Sequence, residues 1–205
     1  MKRAALALAL LSLASCGDQT GAGSGDPGGA SGPASPTGDE LYAEATVLES
    51  NAHGPQLCLG GVAESFPPQC GGPDLVGWDW GEVGAFDRVS GTTWGGYVVI
   101  GRYDAEAGTF TLTRPAVPSS EYDGPVPQPP EPPPAPAPED RLSRTELEEL
   151  HRELFDRTDA VYADAEQGRI ALAVVHDDGT LQQQLDDEYG VGVVVVTSVL
   201  QPYPG

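Results

Sequence analysis

Positive charge is what this 205-residue chain has least of: ten Lys and Arg stand against 31 Asp and Glu, a formal net charge of -21. Without a basic face nothing neutralises a phosphate backbone, so nucleic acid is excluded as a partner. Metal chemistry lacks its spacing as well. The three histidines, His53, His151 and His176, lie far apart and in no zinc-ligand pattern. No G-x-S-x-G elbow, P-loop or dinucleotide fingerprint is present, so the sequence assigns no cofactor and no catalytic residue.

What the chain has in excess is Pro and Gly, 20 and 27 residues, and these are concentrated rather than spread. Two stretches, 17–38 and 115–138, hold 14 of the prolines, and the first lacks the large apolar residues a core needs. The first reads as a flexible tether with an r.m.s. reach of about 25 Å. The second, which includes Pro132, Pro133 and Pro134, reads as a stiff polyproline spacer. Its Pro-x-x-Pro spacing could also serve a proline-binding partner domain, although the flanking Arg or Lys that orients such a ligand is missing.

The N-terminus carries the most specific motif. Lys2 and Arg3 precede an apolar run over residues 4–14 that is broken only by Ser12, the pattern of a signal peptide, and too short to span a bilayer. It ends in Leu13, Ala14, Ser15 and Cys16. That order resembles the lipobox of bacterial lipoproteins, and the nearly lysine-free, Ala-, Gly-, Pro- and Asp-rich composition resembles proteins of actinobacteria. The resemblance implies that Cys16 receives a diacylglyceryl group, that the signal is cut just before it, and that acyl chains such as palmitate hold the protein to the extracytoplasmic face of the cell membrane. Two or more chains give stable anchoring where one is marginal. Losing Lys2 and Arg3 takes the charge from -21 to -23, so anionic headgroups repel the body that the lipid retains.

Cys58 and Cys70 remain as a pair in an exported chain, which reads as a disulfide closing a loop of about 13 residues. A redox-active or metal-binding pair is the alternative, without the C-x-x-C spacing that would favour it.

The expected fold class is α+β, with a small all-β, barrel-like unit of the oligonucleotide/oligosaccharide-binding kind and a C-terminal α-βαβ unit docking on it. The segments are a signal at 1–15, a tether at 16–40, an all-β domain at 41–114, a Pro-rich linker at 115–140 and a small α/β domain at 141–205. Period-two alternation places strands at 43–49, 56–62, 75–80, 93–103 and 109–114. Gly95 and Gly96 fall inside the fourth, as a bulge or a site of close approach. In the C-terminal segment Ser143 and Glu146 form a capping box, with Leu142 and Leu147 at the staple positions, opening a helix to about residue 157. A strand at 169–176, a helix at 180–189 ended by Gly190 and a strand at 191–200 then imply a right-handed crossover between parallel strands.

Trp78, Trp80 and Trp94 are the candidate ligand-binding residues, because exposed indoles on a β-face stack on sugars or bases. The same tryptophans would equally fill the barrel. His176, Asp177, Asp178 and Gly179 at a strand end read as a turn, or as part of a carboxylate-based hydrolase site. The partners expected are the membrane, through lipid, and an envelope protein or glycan. Three functions follow: a binding or interaction module, an envelope hydrolase, and a scaffolding lipoprotein whose βαβ unit associates with another chain.

Overall fold

A computed structural model of the chain describes residues 40–128, 132–138, 142–166 and 168–205. The expected signal, Cys16 and nearly all of the expected tether lie outside them.

Five strands close a barrel: β1 (Leu41–Glu49), β2 (Gln56–Cys58), β3 (Asp74–Val76), β5 (Thr92–Asp104) and β6 (Thr109–Leu112). Around the barrel the order is β1-β2-β3-β6-β5 and back to β1, with β3 and β6 parallel and every other pair antiparallel. This is a five-stranded Greek-key closure, as in barrels of the oligonucleotide/oligosaccharide-binding type. Alternation along the two long strands fills the interior with Ala43, Val47, Tyr97 and Val99, which meet Leu57, Leu75 and Phe110. Gly95 is a point of close approach: a Cβ there would sit 2.8 Å from the Ala85 carbonyl oxygen and from the Tyr97 ring.

Shorter strands occupy the edges of the barrel. β4 (Asp87–Val89) and β7 (Val117–Pro118) pair with β5, and β11 (Gln201–Pro202) pairs with β1. The proline-rich stretch therefore begins as part of the barrel wall. Tyr122 from that stretch and Tyr203 from the C-terminal tail then cover Tyr42, Val98 and Ile100 on the outer face.

The C-terminal unit comprises α1 (Arg144–Arg157), β8 (Ala160–Glu166), β9 (Arg169–Val174), α2 (Thr180–Tyr189) and β10 (Val194–Ser198). The expected capping box is formed, and Leu147, Leu150 and Leu154 make the buried face of α1. They pack with Leu185 of α2 on Ile170, Leu172, Val174, Val194 and Val196, one face of a three-stranded sheet. β9 and β10 are parallel, as a crossover requires. The sequence reading missed β8, an antiparallel edge strand whose Ala, Asp and Glu residues give little apolar alternation.

Docking uses the other face. The β8–β9 register shifts between Ala160 and Tyr162, leaving Val161 as the extra residue. Such a bulge re-aims a side chain. Ala160 and Ala163 stay with the helical core, while Val161 turns onto the barrel core, which Val175 and Leu200 also enter. The tail completes the contact: Tyr203 N donates to the Glu40 carbonyl, and the Arg114 guanidinium bonds the Glu40 carboxylate at 2.7 Å while lying over the Tyr203 ring.

Two predictions follow from these contacts. The Gln182 side chain donates to the Val194 carbonyl (3.0 Å) and accepts from Val196 N (2.8 Å), standing in for a missing strand along β10. Gln182→Leu leaves both groups without that partner and costs about 1–3 kcal/mol in urea unfolding; an unchanged midpoint would show that the clip is dispensable. The second concerns acid. Hydrogen bonds from Arg114 and then Thr113 hold the Glu40 carboxyl below its ordinary value. A carboxylate depressed by folding stabilises above its unfolded pKa of about 4 and loses that contribution as pH falls through the folded value. The melting-temperature gap between the protein and its Glu40→Gln variant therefore narrows on acidification, and a constant gap would contradict the assignment.

Candidate functional site

The three tryptophans do not share a strand face. β3 ends at Val76, and Gly77, with φ +85°, turns the chain into a loop that carries Trp78 and Trp80 across one end of the barrel. Trp78 stands edge-on to Tyr97, with centroids 4.8 Å apart, and to Trp80 at 5.0 Å. The Tyr97 hydroxyl donates to the Gly84 carbonyl at 2.6 Å and ties the loop down from inside. These half-buried indoles close the barrel, and a side of Trp80 remains as the wall of a cleft. Trp94 lies on β5, opposite Leu48 and Asp87, where it meets the exposed ring of Phe66 at 6.1 Å.

Cys58 and Cys70 are joined, with Cα atoms 5.7 Å apart. His176 and its neighbours form a turn. The Asp177 carboxylate accepts from Leu181 N (2.9 Å) and Gln182 N (3.2 Å), and that of Asp178 accepts from Thr180 N (3.0 Å), so both serve the start of α2. Bonding to Thr180 holds the Asp178 carboxyl below its usual range. His151 bonds the Ala163 carbonyl from α1, and His53 is exposed in the β1–β2 loop, so the three histidines are dispersed. Among the described residues no group of three His, Cys, Asp or Glu is placed to hold a metal ion, and no helix is long and apolar enough to cross a membrane.

Among the described residues several concavities open, one of about 830 Å³ lined by Pro138, Leu147 and Arg169. Another, about 480 Å³, is the seam between the barrel and β8. One wall is Leu59 and Gly60, directly after Cys58, with Gly71 and Gly72, directly after Cys70; Val161 and Val175 face them. Burial, then Asp159 and Asp104, push the Tyr103 phenol beside it upward. Its lining is largely Gly, Ala and aliphatic, so it offers few groups for recognition.

A smaller cleft beside Trp80, about 270 Å³, is richer. Glu49, Ser50, Asn51, Trp80, Arg88 and Thr93 surround it, with Gly91. Each part is held in place. The Trp80 indole donates to the Glu49 carboxylate at 2.5 Å. Ser50 Oγ accepts from Ala52 N (3.2 Å) and His53 N (3.3 Å), bending the loop that presents Asn51. Ser90 and Gly91, with φ 51° and 81°, form the two-residue hairpin turn from β4 to β5. A side chain at 91 would run into the Asn51 amide, so glycine there makes room for it. Arg88 Nε donates to Thr93 at 2.9 Å, and the guanidinium lies 5.6 Å above the Phe86 ring. Among the described residues, Arg88 forms no ion pair and the Asn51 amide makes no hydrogen bond. Asn51, Arg88 and Phe86 went unnoticed in the sequence, where the Ser-Gly pair between two short runs was the available hairpin signal.

Comparisons with protein-family models, with curated proteins and with solved structures find no match for the chain.

The seam wall yields a test of the bridge. The cysteines are 12 residues apart, and removing the cross-link in a Cys58→Ser, Cys70→Ser double variant costs about 3 kcal/mol of stability. Amide exchange should quicken at Leu59, Gly60 and Gly72. Unchanged stability and protection would mean that other contacts hold this wall.

Proposed function

We propose that the protein is a lipid-anchored cell-envelope binding module, tethered through Cys16 on the extracytoplasmic side of the membrane, whose barrel takes its ligand in the cleft between Trp80 and Asn51. Leu13, Ala14, Ser15 and Cys16 after the Lys2-Arg3 signal support the anchor, and the bridged Cys58 and Cys70 suit an oxidising compartment. The observation that carries the binding reading is the pair of uncommitted polar groups beside an indole wall, the Asn51 amide and the terminal nitrogens of Arg88, the latter held through Nε by Thr93. Polar groups fixed in advance recognise a ligand at low entropic cost. The hydrolase reading draws no such support, since Asp177 and Asp178 are engaged by backbone amides. Scaffolding keeps one: among the described residues β8 pairs with no strand but β9, and apart from the Ala163 carbonyl that His151 bonds, the edge away from β9 is the surface on which another chain would add a strand.

Mass spectrometry of the native mature protein should find Cys16 at the N-terminus with a diacylglyceryl mass; an unmodified terminus at another residue would refute the anchor. Protein-free cell-wall material should retain the full chain, purified in a non-glycosidic detergent, and lose it when Asn51→Ala and Arg88→Gln are combined. Retention indifferent to that pair would remove the cleft from the function.

A further inference from the structure

We infer that the Trp80 cleft is a subsite for one uncharged pyranose ring, a ligand class that rests on the binding reading above and sharpens it. Size is the first argument. At about 270 Å³ the cleft falls just below the range that holds drug-sized molecules, so it has room for one ring rather than a fused or extended ligand. A sugar ring presents two chemically different surfaces, a face of C–H groups and an edge of hydroxyls, and its site needs one aromatic wall with clustered donors and acceptors beside it. Trp80 is the wall, and Asn51, Arg88, Ser50 and Thr93 are the polar rim.

The rim matches hydroxyls in kind. A carboxamide sets a donor and an acceptor side by side, the pattern that two neighbouring hydroxyls satisfy, and a guanidinium tied through Nε still has its terminal N–H groups to give. Arg88 is positioned before any ligand arrives, by Thr93 and the Phe86 ring, and the bare backbone at Gly91 leaves the Asn51 amide room beside it.

Charge selects an uncharged ring. Arg88 shares its corner with Glu49, in the same lining, and follows Asp87 on β4, on a chain of net charge -21. An anionic sugar or a sugar phosphate would trade solvation for a cation already offset by carboxylates, against a repulsive field. A cationic sugar would bring its ammonium against Arg88, and Glu49, the acceptor it would seek, is bonded to the Trp80 indole.

Saturation-transfer NMR on the full chain in a non-glycosidic detergent tests this, with methyl β-glucopyranoside and tri-N-acetylchitotriose as uncharged probes and glucuronic acid and glucosamine as charged ones. Weak, millimolar binding of the uncharged probes is expected, with weaker transfer to both charged analogues. Asn51→Ala and Arg88→Gln should each weaken it roughly threefold to tenfold, the value of one hydrogen bond. Both residues are exposed, so melting temperatures should hold. No transfer to the uncharged probes, transfer undiminished in Asn51→Ala, or tighter binding of glucuronic acid would overturn the sugar assignment. If cell-wall retention still depends on Asn51 and Arg88 in that event, the binding reading stands and only the ligand class falls.

Discussion

The antiparallel pairing of β1 with β5 is the interaction on which every other element leans. It runs without a break from Leu41 opposite Gly101 to Glu49 opposite Thr93. Each of these strands has a second edge, and the chain fills both in pieces. Along β1, β2 takes residues 46–48 and β11 takes 41–42; along β5, β4, β7 and β6 follow one another. Several of these pieces are two or three residues long and have no stability apart from the ribbon, since even an isolated hairpin is marginal in water.

A barrel walled by such short strands leaves its two ends open to water, and the rest of the sequence closes them. The loop after β3 carries Trp78 and Trp80 over one end, pinned by Tyr97 and Glu49. The C-terminal unit closes the other with Val161, Val175 and Leu200. That second closure depends on a single irregularity, the bulge at Val161. Without it, alternation counted back from Ala163 would send this valine into the helical core and Ala160 to the barrel side. Gln182 performs the complementary task on the opposite edge of the sheet, bonding the backbone groups that β10 would otherwise offer to another chain.

Those features also mark the limit of what the residues reveal in order. The barrel strands, the capping box at Ser143, the second helix ended by Gly190 and the parallel crossover were legible because each follows from a local rule: period two, a cap pair, a glycine with positive φ. β8 was hidden because all its residues but Val161 and Tyr162 are Ala, Asp or Glu, and its position is set by β9 and the barrel rather than by its own pattern. The strand assignment over 75–80 ran too long for the same kind of reason. Trp78 and Trp80 do alternate, but Gly77 breaks the extended chain, and the indoles are buried from the side as a plug. The proposed site was half legible. Trp80 was a candidate from its chemistry, whereas Asn51 and Arg88 meet it only because the β1–β2 loop and the β4–β5 hairpin converge on the same end of the ribbon.

That convergence has a geometric consequence. Glu40, the first described residue, is clamped by Arg114 and the tail at the start of β1. The Trp80 cleft opens at the other end, beside Glu49. Nine residues of extended chain separate the two by about 30 Å. Under the proposed attachment through Cys16, that separation would keep the cleft clear of a bilayer with which a binding face beside Glu40 would have to compete. The ribbon that organises the core thus also sets the distance between Glu40 and the cleft.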